Sequence, residues 1–105
     1  MTPEKVIALI RTIGLPSAYH HFEEGHSPKP PYLVYHFPSF EHYGADNGVY
    51  HKQLECDLEL YTSLKDIATE QQVEQVLDTA PFYYDKVEVY LPSEKLYQVT
   101  YSFTF

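Results

Sequence analysis

Residues 53–61 read Gln-Leu-Glu-Cys-Asp-Leu-Glu-Leu-Tyr, and this run constrains the fold more than any other. Leu54, Cys56, Leu58 and Leu60 fall on one side; Gln53, Glu55, Asp57 and Glu59 fall on the other. Successive side chains of a strand point to opposite faces, so the pattern predicts a sheet with one buried and one wet face. Three carboxylates at alternate positions repel one another, which keeps them out of a core and marks a face that meets water or a basic partner. The run leads directly into a helical pattern. Ser63 is placed to cap it, with Asp66 three residues later as in a capping box. Val73, Val76, Leu77 and Ala80 hold the buried spacing, Glu70, Glu74 and Asp78 form an expected solvated acidic stripe, and Pro81 ends the helix.

The chain has 105 residues, the size of one domain with a modest core. Fifteen acidic residues against seven basic ones give a formal net charge of −8. A field of that sign repels phosphates, which argues against direct, sequence-specific nucleic-acid binding. No apolar run approaches a membrane span, and the N-terminal residues lack the layout of a signal peptide. Cys56 is the single cysteine, so no internal disulfide is available, and its strand position predicts a reduced core thiol. Eleven tyrosines and six phenylalanines occur without a tryptophan. Tyrosine suits surfaces that are both apolar and wettable, notably protein–protein interfaces, and it also tiles half-exposed sheets.

In chain order, Thr2-Pro3-Glu4 opens a first helix with a cap, a proline at the first helical position and an acid at the positive end of the dipole. Val6, Leu9, Ile10 and Ile13 form its buried stripe, Gly14 ends it and Pro16 prevents its resumption. Residues 15–31 read as a loop rich in histidine, aromatic residues and proline. A strand over 32–37 follows and is stopped by Pro38; both its faces are apolar, so its buried side is left open. Residues 39–48 read as a long hairpin loop with an Asn47-Gly48 turn signal. After the second helix come a strand over 82–90, a turn over 91–95, and a strand over 96–105. In the last strand Tyr97, Val99, Tyr101, Phe103 and Phe105 alternate with Gln98, Thr100, Ser102 and Thr104. The order α-β-β-α-β-β predicts an α+β domain, a four-stranded and mostly antiparallel sheet with two helices on one face.

Catalytic patterns are sparse. His20, His21 and His26 share one loop with Glu23 and Glu24, and His36, His42 and His51 follow. Zinc needs three or four ligands converging within about 2.0–2.3 Å of one point, and no histidine pair has helical ligand spacing. No serine lies in a Gly-x-Ser-x-Gly setting, no glycine-rich phosphate loop exists, and Glu55, Asp57 and Glu59 stand on a flat strand face without a desolvating cleft. The expectation is a non-enzyme without metal or cofactor. What remains is assembly. Tyr19, His20, His21 and Phe22 in the first loop, and Tyr43, Asp46 and Asn47 in the second, are the candidate subunit-interface residues.

Five short motifs run in a particular order: Leu15-Pro16-x-Ala18-Tyr19, Pro30-Pro31-Tyr32, Ala45-Asp46-Asn47-x-x-Tyr50, Leu60-Tyr61-Thr62-x-x-Lys65 and Tyr97-Gln98-Val99-x-Tyr101-x-Phe103. This order resembles the small tail-completion, tail-terminator and head–tail joining proteins of siphophages and prophages of Gram-positive bacteria. The likeness covers residues 15–103, and its specificity lies in the order of the motifs. The resemblance implies a fold of sheet plus helices and a homo-oligomeric ring, commonly a hexamer, at the head-proximal end of the virion tail. Its partners would be the tail-tube protein and head connector proteins, after synthesis in the host cytoplasm. The family has no catalytic residues to carry over. Glu55, Asp57 and Glu59 would then face a lumen through which DNA passes, like charge preventing adhesion. Two alternatives stay open: a neighbouring neck or connector subunit, and, from a different class, a small metal-binding module or enzyme.

Overall fold

The computed structural model describes the backbone of residues 1–44 and 50–105, and the side chains outside residues 40–52. The elements run α1 (Pro3–Arg11), β1 (Ser17–Tyr19), β2 (Tyr32–His36), β3 (Phe40–Gly44), β4 (Tyr50–Thr62), α2 (Ile67–Thr79), β5 (Tyr84–Leu91) and β6 (Leu96–Thr104). The class is α+β, as the residue pattern predicts, but the sheet is larger and mixed. Five strands lie in the order β1-β2-β4-β6-β5, and β3 pairs with the remaining half of β4. β1 runs parallel to β2, and the other pairings are antiparallel.

Two strands escape the sequence reading, for different reasons. β1 is only three residues long and sits in a segment whose glycine and prolines signal a loop. β3 lies where a long hairpin loop is expected. Pro38 does not end the pairing there; it sits in a bulge. His36 pairs with Asp57 and Phe40 with Leu54, so three residues on one strand oppose two on the other. The Ser39 carbonyl accepts the Glu55 N–H at 2.9 Å inside this bulge. β2 and β3 thus form one interrupted strand along a single edge of β4. The hairpin they make with β4 carries Tyr43 in its β3 arm, paired with His51. Asp46 and Asn47 lie outside the described residues.

Local chemistry sets the helix ends. The Thr2 hydroxyl accepts the Lys5 N–H at 3.2 Å, and Pro3 opens α1. Gly14 takes φ +87°, a conformation that favours glycine, and turns the chain toward β1. α2 starts later than expected. Asp66, not Ser63, is its cap, accepting the Thr69 N–H at 3.1 Å and the Thr69 hydroxyl at 2.6 Å. These bonds hold the Asp66 carboxyl below the usual carboxylate range.

Both helices bury against the same face of the sheet. Cys56, Leu58 and Leu60 of β4 are fully buried there, with Leu33 and Tyr35 from β2 and Val99, Tyr101 and Phe103 from β6. Val6, Ile10 and Ile13 from the first helical segment, and Val73 and Leu77 from α2, close the core. Each buried leucine gives about 1.5–3 kcal/mol by leaving water.

The expected solvated stripe of Glu70, Glu74 and Asp78 requires correction. Glu70 is only 2 % exposed and faces the sheet. The reason lies in β5, whose phase puts Lys86 and Glu88 toward α2 and leaves Val87 and Val89 on the open face. Lys86 reaches Glu70 and Glu74 at 2.8 Å each; Lys65 reaches Glu70 at 2.7 Å and Glu88 at 2.6 Å. The Tyr101 hydroxyl donates to Glu74 at 2.8 Å. Hence α2 docks through Val73 and Leu77 at its centre and through an ion network at its β5 side.

Burial alone raises the Glu70 carboxyl, and the two ammoniums beside it outweigh that, holding it below the ordinary glutamate value. Hydrogen bonds to Glu70 and Glu88 raise the Lys65 ammonium. A carboxylate lowered on folding contributes stability present above its unfolded value and lost as pH falls through its folded one. A raised lysine contributes stability present below its unfolded value and lost as pH rises through the folded one. Glu70→Gln is therefore expected to lose about 1.5–3 kcal/mol at pH 7 in urea denaturation, the range for hydrogen bonds to charged groups, since Lys65 and Lys86 stay partly exposed and keep Glu88 and Glu74. Its deficit relative to the parent chain should shrink as pH falls below the ordinary glutamate range and through the lower folded value at which the parent's Glu70 takes up its proton.

Candidate interaction surface

The face of β4 away from the helices carries Glu55, Asp57 and Glu59, as the alternation requires. Each is half-buried and each accepts a hydrogen bond. The Ser39 hydroxyl donates to Glu55 at 2.7 Å, the Ser102 hydroxyl to Asp57 at 2.7 Å, and the Tyr61 hydroxyl to Glu59 at 2.9 Å. Gln98 donates to the Tyr61 hydroxyl at 2.8 Å, and Gln53 donates to Thr104 at 2.9 Å. The polar residues of β6 thus bind the acidic row across the strands, because Asp57 pairs with Ser102 and Tyr61 with Gln98 in register. Like charges at this spacing are tolerated because each carboxylate has its own donor and retains access to water.

One border of this face is covered by the first loop. His20 takes φ +67°, fixed by its N–H donating to the Tyr35 carbonyl at 2.7 Å, and this turns the chain over the open side of β2. The His20 and His21 rings meet edge to face with Nδ1 atoms 3.0 Å apart, and His20 lies 6.0 Å from the His36 ring. His36 Nε2 is 3.6 Å from Asp57 Oδ2. Phe22 packs edge-on against Tyr32, which stacks on Tyr61 at 5.0 Å. Together they enclose a shallow cavity of about 170 Å³ over Val34, and Val34 is only 5 % exposed although it faces away from the helices. Burial pushes the Tyr61 phenol up despite the bond from Gln98, with Glu59 adding to the rise. Tyr32 is raised by burial and by the Glu94 charge.

The candidate interface residues are therefore split. His20, His21 and Phe22 gather on the open face beside Tyr32 and Tyr61. Tyr19 turns to the other side, edge-on to Tyr35 at 5.6 Å and against Phe37 at 5.7 Å, its hydroxyl accepting the Phe37 N–H at 3.4 Å. It remains half-exposed at the sheet edge. Sequence reasoning missed Tyr32, Tyr61 and His36 as members of the cluster. Their common parity with the acidic row becomes informative only once β2 is known to pair with β4.

Among the described residues, no group of three or more histidine, cysteine, aspartate or glutamate side chains is arranged to hold a metal ion. A larger cavity of about 470 Å³ lies between the helices, against Leu9 and Val76, and no acidic, basic, histidine or cysteine side chain lines it. No described helix is long and apolar enough to cross a membrane. Burial, with Asp57 and Glu55 on either side, pushes the Cys56 thiol up to about 12. No protein-family model matches the chain, and no curated protein matches it.

A thiol held so high is almost entirely protonated at neutral pH and lacks nucleophilicity. Iodoacetamide at pH 8 should leave Cys56 of the folded protein unmodified and alkylate it fully in concentrated urea, as read by mass spectrometry. Rapid labelling of the folded chain would contradict the buried position.

Proposed function

We propose that this chain is a virion assembly protein at the head–tail junction of a siphophage or prophage, a subunit of a ring that ends the tail tube and docks it to the head connector. The observation that carries the reading is the uncovered sheet face. Three carboxylates are fixed along one strand by their own donors, with an aromatic and histidine cluster at one border and a hairpin running out beyond the sheet. Long extension fits this picture: the principal extents are 51 × 29 × 23 Å.

A closed ring requires two different patches on each subunit, joined head to tail. The first loop supplies aromatic anchors of the type that dominates contact energy, and the β3–β4 hairpin supplies a second patch displaced along the strand axis. The acidic row then faces the lumen, where like charge lets DNA slide without adhering. The ordered run of motifs from Leu15 to Phe103 favours the same reading. Catalysis is not part of it: His20, His21 and His36 lie against one another and Asp57, and Glu55, Asp57 and Glu59 each accept a hydroxyl donor along the open face.

Removal of the gene from a phage that carries it tests the role directly. A terminator subunit predicts tails of uncontrolled length, measured by electron microscopy of lysates. Normal-length tails detached from heads would place the subunit in the neck instead. Intact, infectious particles would refute both.

A further inference from the structure

The two sheet edges differ. β1 is three residues long, whereas β5 offers eight residues, from Tyr84 to Leu91, in unbroken register with β6. No described strand pairs with the outer edge of β5. Natural edge strands are commonly shortened, bulged, interrupted by proline or given charged side chains, and a long, unbroken edge is a template for another strand. The charges of β5 on the helix side, Lys86 and Glu88, are of opposite sign and two residues apart, so they deter a general partner and admit one that meets them with the opposite order. β5 has no proline or bulge, and Val87 and Val89 are 58 % and 46 % exposed on its open side.

We propose that the free chain forms a two-fold dimer in which β5 pairs antiparallel with β5 of a second copy, centred on Val87. The sequence of the strand selects both the occupant and the register. Directly opposed residues in an antiparallel pair share a face, so a two-fold pairing must put an even or an odd residue opposite itself. With Val87 on the axis, Lys86 of each copy stands opposite Glu88 of the other, Tyr84 opposite Tyr90, and Val87 opposite Val87. Two ion pairs, two aromatic pairs and one apolar pair form at once, and Asp85 of each copy stands opposite Val89 of the other on the open face, where its carboxylate keeps its water. Moving the axis by one residue sets Lys86 against Lys86 or Glu88 against Glu88. Moving it by two leaves at most five residues paired, those of 87–91.

The ion network on the helix side reinforces this choice. Each copy holds three carboxylates, Glu70, Glu74 and Glu88, against two ammoniums, Lys65 and Lys86. Glu88 touches Lys65 alone, while Lys86 is shared between Glu70 and Glu74. Across the two-fold, Glu88 gains a second cation. Backbone pairing over this length adds about six to eight hydrogen bonds. The contact lies at the sheet edge remote from the first loop, and it concerns the chain before any ring forms, so it does not rest on the phage reading.

Sedimentation equilibrium of the full chain, with Val87 variants, tests it. The parent chain should sediment with twice its monomer mass. Val87→Lys and Val87→Glu, each placing like charges on the axis, should weaken association at least about tenfold. An equimolar mixture of the two should recover the dimer, which a general loss of folding cannot mimic. Under mild oxidation Val87→Cys should form a disulfide-linked dimer and Val89→Cys should not, since only residue 87 meets its own copy. A parent chain that remains monomeric, Val87 variants that dimerise as well as the parent, failure of the mixture to recover the dimer, or equal cross-linking at 87 and 89 would each overturn the proposal.

Discussion

The structure depends on β4 serving two solvents at once. On one side Cys56, Leu58 and Leu60 are sealed beneath the helices; on the other Glu55, Asp57 and Glu59 stay within reach of water, each with its own hydrogen-bond donor. A shift of β4 by one residue would drive three carboxylates into the core, a penalty of several kcal/mol for each charge left uncompensated. That cost pins the register of β2 and β6, which pair on either side of β4, and through β6 that of β5. It also sets the face on which both helices must lie.

The same strand explains how far the fold was legible in the sequence. Strict alternation identified β4 and β6, apolar stripes identified both helices, and the cap was read correctly for α1 but three residues early for α2. The ambiguity began where the residues serve two surfaces. β2 is apolar on both sides because Leu33 and Tyr35 enter the core while Tyr32 and Val34 lie beneath the first loop. No periodicity could separate those two kinds of burial. β3 was hidden by Pro38, whose helix- and strand-breaking chemistry reads the same in a bulge as at a strand end. Glu70 read as solvated because acidic residues at i, i+4 and i+8 normally are. Its partners Lys65 and Lys86 come from other elements, and only tertiary packing joins them.

The candidate surface was half legible. The acidic row and the aromatic first loop stand out as residue patterns, yet their adjacency does not, since it depends on the left-handed turn at His20 and on β2 pairing with β4. The separation of Tyr19 from its three neighbours follows from the same turn. One face of the sheet therefore builds the protein, and the other, in the function proposed above, is left for what the protein meets.

That division is the central claim, and a cryo-electron microscopy reconstruction of the protein bound to purified tail tubes tests it most directly. The account predicts a ring on one end of the tube, with Glu55, Asp57 and Glu59 of every subunit lining the channel and the first loop at a subunit boundary. A ring with that acidic row on its outer wall, or a chain that leaves the tube ends bare, would contradict it.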